Sequence, residues 1–154
     1  MLTINPSSLT QVRSRAMEYL ARREHSRLEL RNKLARKGFE PDLIDSVLTQ
    51  LQADNLLSDE RFFDSFVRSQ TNKGYGPLRI QQELKQRGID RDLLTNLNAN
   101  DTAWLQRTRQ AREKRFGREL PQNPREQAKQ MRFLQNIGFT GYQIQVALSS
   151  HQDE

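Results

Sequence analysis

The sequence predicts an all-α protein: three tandem three-helix repeats of about fifty residues forming an elongated helical solenoid. Two observations carry the prediction. Leu34, Leu84 and Leu134 recur at a spacing of fifty, followed by Gly38, Gly88 and Gly138, by Phe39, Ile89 and Phe139, and later by Ile44, Leu94 and Ile144. Leu28, Leu78 and Ala128 extend the register backwards. Strand signals are lacking, since no alternating run of β-branched or aromatic residues is long enough to compete. Periods of this size mark stacked units, each too small to bury its own apolar face, so a long surface is expected and not a pocket. The repeats are placed at 1–54, 55–100 and 101–154.

Each repeat reads as three helices. The first element runs from Val12 to Arg23, then from Arg61 to Thr71 behind Ser58 as cap, then from Ala103 to Phe116. The second is the most sharply punctuated. Ser26-Arg-Leu-Glu29 forms a capping box before apolar Leu30 and Leu34, and Gly38 ends that helix, with Arg36 and Lys37 at the negative end of its dipole. Pro77 opens the corresponding helix, Leu78, Ile80 and Leu84 form its stripe, and Gly88 ends it. In the third copy Pro124 opens, Gly138 closes, and the helix is about a turn longer, following an interruption from Gly117 to Asn123. The last element of each repeat carries Ile44, Val47, Leu48 and Leu51, then Leu93, Leu94 and Leu97, then Tyr142, Ile144 and Leu148.

The 154 residues are 34% apolar and 29% charged, with a net charge of +6, which argues for a folded, surface-rich protein. With no cysteine there is no disulfide framework, thiolate metal site or cysteine nucleophile. No signal-peptide core or membrane span is evident, so a soluble, cytoplasmic protein is expected. The charge is laid out in blocks. Residues 11–37 hold nine bases against three acids, residues 38–66 seven acids against Arg61 alone, residues 67–91 six bases against two acids, and residues 107–132 nine against three. Such blocks suit an anionic polymer, an acidic protein surface, or solvated helix faces.

No catalytic or metal constellation emerges, and no cofactor is implied. Lys73-Gly-Tyr-Gly-Pro77 has the glycines of a phosphate loop but lacks a preceding strand and a following Gly-Lys-Ser/Thr, so it reads as a turn. Asp42, Asp45, Asp54, Asp59, Glu60 and Asp64 match no calcium loop, and Asp42 and Asp59 fall in first helical turns, where carboxylates offset the positive pole of the dipole. His25 and His151 have no partner in the sequence for nucleophilic or metal chemistry. Phe62 and Phe66, four apart, are assigned to a buried stripe. Arg31, Arg79, Arg112 and Arg132 have no evident core role, and guanidinium grips carboxylate or phosphate in a bidentate way.

The stretch Leu57-Ser-Asp-Glu-Arg-Phe-Phe through Lys73-Gly-Tyr-Gly-Pro-Leu-Arg-Ile-Gln-Gln-Glu-Leu-Lys-Gln-Arg-Gly-Ile89 resembles the RecX family. His25-Ser-Arg-Leu-Glu-Leu-Arg-Asn-Lys-Leu and Arg132-Phe-Leu-Gln-Asn-Ile-Gly-Phe139 extend the resemblance over nearly the whole chain. It implies a curved, elongated, non-enzymatic modulator of the RecA recombinase, lodged in the groove of the RecA–DNA filament and restraining its ATPase, co-protease and strand-exchange activities. On that reading the contact candidates are Arg31, Lys73, Tyr75, Arg79, Arg112, Arg115 and Arg132, facing acidic surfaces of the recombinase, single- or double-stranded DNA, or both. A monomer is expected, because the three units differ. The alternative is a stand-alone helical DNA-binding protein, for which an isoelectric point of about 10.1 and the tight turns at Gly38 and Gly88 speak.

Overall fold

Helix signals account for the whole architecture of the computed structural model, which describes residues 6–149. The helices are α1 (Pro6–Arg22), α2 (Arg27–Arg36), α3 (Pro41–Ala53), α4 (Asp59–Asn72), α5 (Pro77–Gln86), α6 (Arg91–Leu94), α7 (Ala103–Phe116), α8 (Pro124–Asn136) and α9 (Gly141–Ala147). Among the described residues these nine helices are accompanied by no strand. The Ser26 capping box is present, with Glu29 N–H donating to the Ser26 hydroxyl at 3.1 Å and Ser26 N–H donating to the Glu29 carboxylate at 3.2 Å. Ser58 caps α4 by accepting from Arg61 N–H at 3.1 Å. A second capping box, Thr140 with Gln143, opens α9. At 13 residues α8 is three longer than α2 or α5, each of 10, as the interrupted period predicts.

The chain divides into two compact units, one comprising Met1–Phe66 and Leu84–Leu93, the other Val67–Glu83 and Leu94–Glu154. In the first unit α1, α2 and α3 pack on one another around Val12, Ala16, Leu30, Leu34, Ile44, Leu48 and Leu51, all essentially inaccessible to water. Burying a side chain of this size contributes about 1.5–3 kcal/mol, so these positions dominate the stability of the unit. A polar lattice closes its edge. Arg23 grips Glu29 with two nitrogens at 3.0 and 3.2 Å, Arg87 reaches the same carboxylate at 3.4 Å, and the Ser26 hydroxyl donates to Arg87 O at 2.8 Å.

His25 is enclosed by this lattice, 1% exposed. The Lys33 ammonium, which can only donate, lies 2.8 Å from His25 Nε2, so Nε2 accepts and the proton is on Nδ1, directed at Arg23 O 3.1 Å away. The ring is therefore neutral: burial lowers its pKa, and the charges of Arg23 and Lys33 lower it further. Burial alone would raise the Glu29 carboxyl, but the Arg23 and Ser26 hydrogen bonds outweigh it and hold the pKa below the ordinary value. The other histidine, His151, lies outside the described residues.

In the second unit α7, α8 and α9 pack together. The buried stripe of α7 is Trp104, Thr108 and Arg112 at intervals of four, with the Trp104 ring meeting Phe139 edge-on at 6.5 Å. Leu134, Phe139 and Ile144 are buried, as their places in the period require. Two apolar expectations fail. Leu78 is 46% exposed and Tyr142 68% exposed, although both were assigned to helix stripes. In α9 the buried positions are Gln143, Ile144 and Ala147, and Tyr142, one residue before that stripe, turns about 100° away from Gln143.

Candidate functional site

The turn between α4 and α5 is fastened to the end of α8 by two backbone hydrogen bonds. Gly76 N–H donates to Ile137 O at 2.7 Å and Leu78 N–H donates to Gly138 O at 2.9 Å. Neither glycine has room for a side chain. A Cβ on Gly138 would stand 2.5 Å from the Arg79 Cβ, and one on Gly76 would collide with the Gly138 backbone. The Lys73-Gly-Tyr-Gly-Pro77 segment is thus a turn, with its second glycine reserved for this close approach.

That seat presents Tyr75 beside α7 and α8. The Arg79 guanidinium covers the Tyr75 ring at 3.8 Å and donates to Glu83 at 3.4 Å, while Gln70 donates to Glu83 at 2.9 Å. Tyr75 is therefore held by a chain of polar contacts running through α4 and α5. A groove of about 300 Å³ opens next to it, floored by Ala111, Phe133 and Ile137 and edged by Lys73, Lys114 and Arg115. A smaller hollow shares Lys73, Tyr75, Ala111 and Lys114 and adds Arg107. Arg115 lies over the Phe133 ring at 5.4 Å, and Phe133 meets Phe116 edge-on at 5.4 Å.

Three predicted contact residues, Lys73, Tyr75 and Arg115, line this groove together, and Arg79 supports it through Tyr75. Arg132 is exposed on α8 but is not among the lining residues. Arg31 belongs to the first unit, where it pairs with Asp45 at 3.4 Å across two half-exposed side chains. Arg112 requires a correction. It was expected to have no core role, yet it is 2% exposed and its guanidinium donates to Glu119 O, Arg118 O and Gln130 Oε1 at 3.1, 3.2 and 3.3 Å. It pins the loop after α7 to α8 and offers a partner no surface.

Lys114, Ala111 and Phe133 were not singled out as contacts. On α7 there is a signal: Ala111 and Lys114, with Arg107 of the smaller hollow, fall at i, i+4 and i+7, the spacing of one helix face. The larger hollow of the unit, about 820 Å³ beside Arg109, Met131 and Tyr142, contains none of the predicted residues. Among the described residues no cluster of three metal-ligating side chains occurs, and no helix is long and apolar enough to cross a membrane.

The chain matches family models for the first, second and third three-helix domains of RecX at residues 13–51, 58–96 and 102–148. It is 42% identical over 144 residues to the regulatory protein RecX of Halorhodospira halophila, covering 93% of this chain and 89% of that one. With the regulatory protein RecX of Pseudomonas entomophila it shares 44% identity over 130 residues, 84% of each chain. The crystal structure of RecX from Lactobacillus salivarius superposes with a TM-score of 0.76 at 22% identity, covering 94% of this chain and 96% of that one. A second crystal structure of regulatory protein RecX gives a TM-score of 0.77 at 20% identity, covering 91% and 72%. These structures share the all-helical fold, the three domain matches account for most of the sequence, and the chain belongs to the RecX family.

Proposed function

We propose that this chain is a non-enzymatic regulator of the RecA recombinase, a cytoplasmic monomer of three repeats (1–54, 55–100, 101–154). It acts in DNA repair and the SOS response by binding the groove of the RecA–DNA filament and restraining ATPase, co-protease and strand-exchange activities. The observation that supports this most is the convergence of Lys73, Tyr75 and Arg115, distant in sequence, on one basic and aromatic groove in a chain of this family. Arg31, Arg79 and Arg132 are further contact candidates; Arg112 is not one. Such a regulator needs no catalytic residue. If it binds one filament state more tightly than another, it shifts the filament toward that state by the difference in affinity, and about 1.4 kcal/mol changes the ratio tenfold. Several modest contacts distributed over the chain act at high effective concentration.

Fluorescence anisotropy of the labelled protein on RecA–single-stranded-DNA filaments, and on the same DNA alone, tests the proposal. Filament binding is expected to survive a rise from about 50 to about 200 mM salt, whereas phosphate-dominated binding to free DNA falls steeply over that range. Reversing Lys114 and Arg115 should weaken filament binding about tenfold, or 1.4 kcal/mol. Equal binding to DNA with and without the recombinase would instead make the chain a stand-alone DNA-binding protein.

A further inference from the structure

The groove beside Tyr75 has a more specific chemistry than a basic surface. Its floor is apolar, its edge carries Lys73, Lys114 and Arg115, and its lining contains no carboxylate. Among the described residues none of these three cations is ion-paired. A volume of about 300 Å³ lies at the lower limit of small-molecule sites, the scale of one bulky side chain. Stacking of a nucleobase requires an open ring face, and the groove is poor in these. Arg79 covers one face of Tyr75 at 3.8 Å, while Phe133 has Arg115 over its ring at 5.4 Å and packs perpendicular to Phe116. What remains is a hydrophobic slot between Tyr75, Ala111, Phe133 and Ile137, ringed by cations that lack counter-charges.

We infer that this groove captures a short acidic segment of a protein partner, seating one bulky apolar side chain between Tyr75, Phe133 and Ile137 and its flanking carboxylates on Lys73, Lys114 and Arg115. The inference rests on the reading of the chain as a protein-binding regulator and adds the chemistry of the segment it takes. Charge brings the segment in and the slot selects it. A buried apolar anchor within a polar rim is the usual division of labour in such contacts. The backbone seat of Gly76 on Ile137 keeps Tyr75 in place before anything binds, so little ordering is left to the moment of binding.

A random-peptide phage library panned on the full chain tests this, with counter-panning on the double variant Lys114→Glu, Arg115→Glu and on Phe133→Ala. Lys114 and Arg115 are exposed, so the double variant keeps its fold even if Phe133→Ala does not. The expected product is a consensus with one Phe, Leu, Trp or Met flanked by Asp or Glu. A labelled consensus peptide should bind about tenfold more weakly when its anchor is changed to Ala, and about tenfold more weakly to the double variant. No consensus, a consensus whose Ala version binds equally well, or undiminished binding by the double variant would overturn the inference. So would a labelled oligothymidylate that binds the wild type and is lost in both variants, since the groove would then be a nucleic-acid site. Filament binding measured in parallel separates the two proposals: bound filaments without a consensus sink only the groove inference, and a consensus without filament binding sinks only the recombinase as partner.

Discussion

Gly76 donates its amide to the carbonyl of Ile137 at 2.7 Å, across 61 residues of sequence, and through that bond the turn bearing Tyr75 is fixed to the end of α8. Gly76→Ala places a methyl against the Gly138 backbone, and Gly138→Ala places one against Arg79 at a residue whose φ is 105°. Each is expected to lower the unfolding free energy by about 1–3 kcal/mol in urea titration. Gly141→Ala, with no positive φ and in open space, should change stability by no more than about 0.5 kcal/mol. Equal losses at the three positions would contradict the close backbone approach.

Arg112 and Arg115 separate a structural arginine from a surface one. Arg112→Ala leaves two loop carbonyls and a buried amide oxygen without their donor, with an expected loss of about 1–3 kcal/mol. Arg115→Glu should change stability by no more than about 0.5 kcal/mol while weakening partner binding. An Arg112→Ala protein as stable as the wild type would show that the guanidinium is not needed to hold the loop.

The His25 lattice makes stability depend on pH. The folded pKa of His25 is depressed, so the unfolded chain takes up its proton first, and the stability present above about pH 6.5 declines as pH falls through that value. Glu29, also depressed, adds a second loss as pH falls through the ordinary carboxylate range near 4. Lys33 is lowered as well, mainly by burial, but remains charged throughout this window and contributes no slope there. Urea midpoints at pH 7.5 and 5.5 should therefore differ, with the lower value at pH 5.5, and His25→Gln should flatten the difference. An unchanged slope in that variant would remove His25 from the account.

The core was legible because it repeats. Leu34, Leu84 and Leu134 are all 0% exposed, and a fifty-residue period of apolar positions has no other simple physical cause. Arg112 was legible in principle: it continues the α7 stripe of Trp104 and Thr108 at intervals of four, but its charge argued for the surface more loudly than its register argued for the core. Tyr142 erred in the opposite way, an apolar residue one position out of register with α9's buried face. The groove was legible only in pieces. Lys73, Tyr75 and Arg115 are each expected contacts from the sequence, but nothing local says that the turn before α5 docks on the end of α8, because a backbone-to-backbone seat leaves only two glycines in the sequence.

Restraint of the recombinase through its filament, as proposed for this chain, has a direct kinetic readout. The rate of ATP hydrolysis by RecA on single-stranded DNA, measured as the protein is titrated, tests it most directly. A saturable fall in rate is expected, shifted to about tenfold higher protein concentration by Lys114→Glu with Arg115→Glu. An unchanged rate at every concentration, with no binding of the filament, would contradict it.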